Sequence, residues 1–147
     1  MDNATAVADW IESKVYWAAE HYADGFVFDE EDSSPMMYNS EWNYAFSALV
    51  ALTNATLQAV RPGSTLAVAV AWGPDGVDQR YYDYRGLAFG SYTFFVMGYS
   101  LNSQVFNRCV ACGNSLPQLQ HGLEHFLALG IPTSKLVLGT SWGGTIW

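Results

Sequence analysis

The sequence predicts an α/β fold with a parallel sheet, and three observations support it. Segments of helical periodicity alternate with short runs of β-forming residues along the chain, which is typical of βαβ units. The run from Thr65 to Trp72 is apolar on both faces, as in parallel strands that helices cover. Half of the 147 residues are hydrophobic, so the chain can bury a substantial core and forms one domain at most.

The first half of the chain contains two predicted helices and two predicted strands. A helix is expected over about residues 4–22, where apolar side chains recur every three or four positions. Asp24 and Gly25 end it, and one short strand is expected to run from there to Glu31. A second helix is predicted over about residues 40–60, and the strand at 65–72 follows it.

The second half repeats the alternation with less regular helices. A short irregular helix and loop is expected over residues 78–87, and an apolar strand over 91–97. A helix or pair of helical pieces is predicted over about residues 102–129, broken near Pro117. The last predicted strand covers residues 135–139.

The charge pattern excludes several kinds of partner. Only six Lys and Arg residues are spread over the chain and the formal net charge is −8, so no basic patch for nucleic acid or an anionic membrane is expected. No run of 18 apolar residues is present, which predicts no membrane span. The first residues lack the basic start and apolar stretch of a signal peptide.

The cysteines and histidines predict neither a metal site nor a cofactor. Cys109 and Cys112 form a CxxC without a second Cys or His pair at ligand spacing, and they are most simply buried apolar residues. His121 and His125 stand one helical turn apart, but a pair without a third ligand is more often an ordinary surface or core feature than a metal site.

Two carboxylates mark the end of the first predicted strand. Because side chains alternate across a strand, Asp29 and Glu31 are expected on one face, about 6–7 Å apart at the backbone. Paired carboxylates can act as a general acid and its partner. Taken alone, however, two such acids are more typical of a solvated acidic strand end.

Aromatic side chains at the other strand ends favour the functional interpretation. In parallel α/β folds the carboxyl ends of the strands carry the site. Those ends bring Asp29 and Glu31 together with Trp72, the pair Met97 and Tyr99, and Trp142. Carboxylates among aromatic rings indicate a carbohydrate site, where sugar faces stack on the rings.

Four segments in the same order resemble one known enzyme family. The segment Asp24-Gly25-Phe26-Val27-Phe28-Asp29-Glu30-Glu31 resembles the DxxDxDxE strand signature of family-18 glycoside hydrolases, the chitinase family. Residues 68–74 with 78–84, then 95–99 and 135–142, resemble further segments of such enzymes, so the match covers about residues 5–147.

The resemblance implies a partial (β/α)8 TIM barrel. The chain would hold strands four to seven with their helices, while strands one to three and eight would be missing, because a full barrel needs about 250 residues. Residues 1–147 would then be an incomplete catalytic barrel, a fragment or truncated gene product of a longer lysosomal or extracellular protein. Its open strand edges are expected to favour self-association.

The resemblance also assigns catalytic roles. Members of the family hydrolyse β-1,4-linked N-acetylglucosamine oligomers with retention, the acetamido group of the sugar acting as nucleophile, and no cofactor is implied. By this resemblance Glu31 is the general acid and base, Asp29 orients the acetamido N–H, and Tyr99 donates a hydrogen bond to its carbonyl.

The substrate-binding positions implied by the resemblance surround these three residues. They are Trp72, Met97 and Trp142, with Asp24 as an outer acid at the strand start whose role is more structural. The expected partner is a chitin-type oligosaccharide.

Three positions depart from the family pattern. Val27 stands where an Asp or Asn is usual, beneath Asp29, and Ser100 stands where Met-x-Tyr is normally followed by Asp. Glu30 is a charge where an apolar residue is usual. These departures leave two alternatives open: a non-catalytic lectin for chitin oligosaccharides, or an inactive truncated fragment.

Overall fold

Helices and strands alternate through the protein, as the sequence predicts. The computed structural model describes residues 4–31, 40–101 and 113–143. The elements are α1 (Ala4–Glu20), β1 (Gly25–Phe28), α2 (Glu41–Val60), β2 (Thr65–Ala71), α3 (Tyr84–Gly90), β3 (Thr93–Met97), α4 (Leu116–Ala128) and β4 (Leu136–Gly139). Single 3-10 turns lie at Val77–Gln79 and Thr133–Lys135.

The four strands form one sheet in the order β1-β2-β3-β4, and each neighbouring pair is parallel. Strand order therefore follows chain order, which is how a (β/α) barrel is built. Within the described residues, β1 and β4 each pair on one side only. The predicted self-association through such edges stays a prediction.

The core lies between the sheet and its helices. One face of β2 and β3 supplies buried apolar side chains, and the helices add others: Leu66, Val68, Val70, Phe94, Val96, Phe46, Val50 and Phe126. Each such side chain stabilises the fold by roughly 1.5–3 kcal/mol when fully buried. The opposite face of the sheet is more open, because Val27 is 63% exposed and Val137 is 49% exposed.

Side-chain caps explain where two helices begin. The Ser40 side chain accepts a hydrogen bond from the Asn43 amide at 3.3 Å and caps α2. Asp83 accepts one from the Gly86 amide at 3.0 Å and caps α3. Lys135 donates to two carbonyl groups near the end of α3, and so ties the start of β4 to that helix.

One predicted boundary was wrong in a way that matters for the site. The ladder between β1 and β2 ends at Phe28, so Asp29 and Glu31 lie in the segment after the strand and not on it. The predicted break near Pro117 is confirmed, because residues 113–115 are not helical and α4 begins at Leu116, with Pro117 in its first turn. The predicted helix over 102–112, with its two cysteines, lies outside the described residues. None of the described helices has the length and apolar character needed to cross a membrane.

Candidate active site

A cleft of about 310 Å³ opens at the carboxyl ends of β1, β2 and β3. Residues from all three strand ends and from the loop after β2 line it: Glu31, Ala71, Trp72, Asp78, Arg80, Met97, Tyr99, Ser100 and Leu101. Four of the residues predicted from sequence, Glu31, Trp72, Met97 and Tyr99, are therefore neighbours in the cleft.

Glu31 is held by an arginine from the loop after β2. Arg80 Nη2 donates a hydrogen bond to Glu31 Oε2 at 2.7 Å, forming an ion pair. The Arg80 side chain is 6% exposed and that of Glu31 is 56% exposed. A buried cation thus orients a carboxylate that remains open to the cleft.

The loop that carries Arg80 has an unusual backbone. Asp78 and Gln79, directly before Arg80, both have positive φ angles of 53° and 61°. Such conformations cost non-glycine residues about 1 kcal/mol or more and concentrate at functional sites. The Arg80 carbonyl accepts a hydrogen bond from the Tyr84 hydroxyl at 3.1 Å, which fixes the loop against α3.

A second hydrogen bond joins the same loop to the acidic segment. The buried Tyr82 donates from its hydroxyl to the Glu30 carbonyl at 2.7 Å. This bond fixes the backbone of Glu30, and the bond from Arg80 fixes the side chain of the next residue, Glu31. The position of Glu31 after the end of β1 is therefore set by the loop after β2, because the strand ladder does not reach it.

Tyr99 is placed among the charges of the site. Partial burial raises the pKa of the Tyr99 phenol above its ordinary value, and the negative charges of Asp29 and Glu31 raise it further, while Arg80 lowers it. The phenol is consequently a hydrogen-bond donor at any physiological pH. Asp29 does not line the cleft, but its charge acts on Tyr99.

Two nitrogen atoms of the cleft walls are buried without a partner. Trp72 Nε1 and Arg80 Nε have no hydrogen-bond acceptor among the described residues. Each such donor costs about 1–3 kcal/mol. Buried donors of this kind are uncommon in folded proteins. Two of them lie at this one cleft, and the hydroxyl groups of Ser64 and Ser91, outside it, are also buried without a partner among the described residues.

The structure does not bring the other predicted residues into the cleft. Asp24 lies at the amino end of β1, where it forms an ion pair with Arg61 at 2.5 Å. Trp142 is fully exposed beyond β4 and lines no part of the cleft. Ser100 does line it, in a left-handed conformation with φ 57°.

A larger cleft elsewhere has no suitable chemistry. It measures about 660 Å³ and lies between α1 and α2, and its walls are mostly apolar side chains such as Val7, Ile11 and Leu49. Among the described residues, Glu12 is the one charged residue in its lining. A lining with a single acid and no arginine is a weaker candidate for acid–base chemistry than the cleft at the strand ends.

Sequence reasoning missed Arg80 and Tyr82 as parts of the site. The sequence shows Arg80 at the start of an aromatic-rich stretch soon after a predicted strand, and strand ends are where the site was expected. If the loop after β2 had been counted with the strand ends, Arg80 would have been predicted as a site residue. Tyr82 and Tyr84, from the cluster of tyrosines that follows Arg80, are buried in the core.

Comparison with solved structures identifies the fold class. The chain superposes on class V chitinase from Nicotiana tobaccum in complex with NAG4 with a TM-score of 0.78, at 17% identity, covering 93% of this chain and 41% of that one. The spore cortex-lytic enzyme from Bacillus cereus gives a TM-score of 0.76 at 16% identity, covering 94% and 30%. The fold is thus part of the α/β barrel of chitinases, as predicted.

Comparison of sequences is more specific, although no protein-family model matches the chain. Di-N-acetylchitobiase of Rattus norvegicus is 36% identical over 146 residues, covering 97% of this chain and 38% of that protein. Di-N-acetylchitobiase of Homo sapiens is 33% identical, covering 93% and 35%. The predicted resemblance to family-18 glycoside hydrolases is confirmed. The chain spans a little over a third of the relatives that it matches.

Proposed function

We propose that the protein, as part of a complete barrel, hydrolyses β-1,4-linked N-acetylglucosamine oligomers such as chitobiose. The observation that carries the proposal is the cleft at the strand ends, where Glu31, Tyr99 and Trp72 meet. Similarity to di-N-acetylchitobiases over nearly the whole chain supports the choice of substrate class. A lysosomal or extracellular location is part of the same proposal.

Glu31 acts as the general acid and base in this proposal. Its carboxyl group would protonate the oxygen of the leaving sugar, while the acetamido carbonyl of the bound sugar attacks its own anomeric carbon. Glu31 then takes a proton from the water that opens the resulting ring. The exposure of Glu31 to the cleft supports this role, since the acid must reach the scissile bond.

Tyr99 and Asp29 would hold the acetamido group. A phenol whose pKa is raised stays protonated, so Tyr99 can donate to the carbonyl oxygen of that group. Asp29 would stabilise the positive charge that develops at the nitrogen of the acetamido group. The influence of Asp29 on the pKa of Tyr99 supports placing both at one group of the substrate.

Arg80 would be a positioning residue for Glu31. An arginine that is itself fixed limits the rotamers of the carboxylate it binds, and catalytic groups need placement to within a fraction of an ångström. Trp72 forms a half-buried wall of the cleft against which a sugar face can pack. Neither contact requires a metal or a cofactor.

The test is release of N-acetylglucosamine from N,N′-diacetylchitobiose. Glu31→Gln is expected to lower the rate by about 10²–10⁴-fold, the usual contribution of a general acid. Asp24→Asn is the matched control, because Asp24 directly precedes β1, at the end of the strand away from Glu31, and does not line the cleft. An unchanged rate in Glu31→Gln would contradict the assignment. Saturable binding without turnover in the parent protein would instead support a lectin.

A further inference from the structure

The loop after β2 and helix α4 bring three metal-ligating side chains together outside the cleft. Asp75 Oδ2 lies 2.5 Å from His125 Nδ1, and the rings of His121 and His125 have centroids 4.0 Å apart. One ligand atom from each of the three residues lies within 4.8 Å of the other two. None of these residues lines the cleft that contains Glu31.

The histidine pair is placed by the helix. His121 and His125 are four residues apart on α4, so both rings project from the same face one turn apart. This spacing is the one that helical zinc sites use for two imidazole ligands. The sequence supplied these two histidines but no third ligand.

The third ligand is placed by a close contact between the loop and the helix. Gly122, next to His121, is buried, and the Trp72 carbonyl oxygen lies where a side chain at this position would be, 1.9 Å from an added Cβ. Only glycine allows this approach. The contact fixes the loop beside α4, and Asp75 follows three residues later.

We propose that Asp75, His121 and His125 bind one divalent transition-metal ion of the Zn²⁺ class. Two imidazole nitrogens and one carboxylate oxygen are ligands that Zn²⁺ takes at about 2.0–2.2 Å, which places the ligand atoms roughly 3.3 Å apart in tetrahedral geometry. The ligand atoms of Asp75 and His125 are 2.5 Å apart, and all three ligand atoms lie within 4.8 Å of one another. All three side chains reach solvent, so they are able to rotate toward the ideal separation. The remaining coordination position is open for water.

A simpler arrangement explains part of the geometry. Asp75 and His125 can form a hydrogen-bonded ion pair without a metal. That arrangement gives no role to His121, whereas the metal site requires it. His121 therefore distinguishes the two, and its substitution leaves the contact between Asp75 and His125 in place.

The experiment is a titration of the chelator-treated protein with Co²⁺ and Zn²⁺. Bound tetrahedral Co²⁺ is expected to give visible absorption with one equivalent bound, and Zn²⁺ to displace it. His121→Ala and Asp75→Asn are each expected to weaken metal binding by about tenfold or more. Loss of a residue that only hydrogen-bonds to a metal ligand already has an effect of that size. Far-UV circular dichroism verifies that each variant is folded.

The matched control is His21→Ala, because His21 stacks on Trp17 in α1 and lies outside the cluster. Its metal affinity is expected to equal that of the parent protein. Absence of one-to-one binding would overturn the proposal. So would binding by His121→Ala as tight as that of the parent. The readout is independent of glycosidase activity, so its failure leaves the proposed function unaffected.

Discussion

The ion pair between Glu31 and Arg80 predicts an unequal response to the loss of either partner. The Arg80 side chain is 6% exposed, and that of Glu31 is 56% exposed. Glu31→Ala leaves a buried guanidinium without its carboxylate, and an unpartnered buried polar group costs about 1–3 kcal/mol. Arg80→Met leaves a carboxylate that water can solvate, so the loss resembles that of an exposed pair, about 0.2–1 kcal/mol.

We therefore expect Glu31→Ala to lower the free energy of unfolding by about 2 kcal/mol. Arg80→Met should lower it by less than about 1 kcal/mol. Glu31→Gln should fall between them, because its amide oxygen can still accept from Arg80. Urea unfolding followed by tryptophan fluorescence measures these differences, and at a slope of about 1–3 kcal/mol per M a loss of 2 kcal/mol moves the midpoint by roughly 1 M.

Asp24→Ala is the control, because its pair with Arg61 is exposed on both sides, at 88% and 43%. Its midpoint is expected to change least of the four variants. A larger loss for Arg80→Met than for Glu31→Ala would refute the reasoning, since it would mean that packing of the arginine stem outweighs its charge. Equal losses for Glu31→Ala and Asp24→Ala would refute it as well.

Two further predictions concern the tyrosines of the site. Asp29→Asn should lower the pKa of Tyr99, because the negative charge of Asp29 is one of the causes that raise it. Asp24→Asn should leave the pKa of Tyr99 unchanged. NMR titration of ring-labelled tyrosine measures this pKa, and the Tyr99→Phe variant assigns the signal. The pKa of Tyr99 is raised in the folded protein above its ordinary value of 10.0. The protonated phenol therefore contributes its full share of stability below pH 10.0, and that share is lost as the pH rises through the pKa of the folded protein. Tyr82→Phe should cost about 1 kcal/mol in urea unfolding by removing the bond to the Glu30 carbonyl; an unchanged midpoint would contradict that role.

The sheet could be predicted from the sequence because its signals are local. The apolar run in β2 and the caps and stops around α2 depend on residues close to one another in the chain, and both elements were predicted within one residue of the observed bounds. The end of β1 was predicted too late in the chain. Asp29 and Glu31 continue the two-residue spacing of a strand in the sequence, although the hydrogen-bonded ladder to β2 stops at Phe28.

The candidate site could be predicted in part. Glu31, Trp72 and Tyr99 meet in the cleft because the ends of parallel strands meet at one edge, which a sequence can indicate. Arg80 and Asp75 could not be assigned partners, since each makes its contact with a residue about fifty positions away. Trp142 follows the end of another parallel strand, yet it is fully exposed and does not line the cleft.

The hold of the loop after β2 on Glu31 also has a consequence during synthesis of the protein. Glu31 and Arg80 are 49 residues apart, and Glu30 and Tyr82 are 52 apart. At about 5–20 residues per second, the acidic segment leaves the ribosome roughly 2–10 s before the residues that orient it. During that interval β2 is also completed and can pair with β1. The acidic segment still lacks the residues that orient it, so the cleft is assembled only after the tyrosine-rich loop has been translated and has folded back.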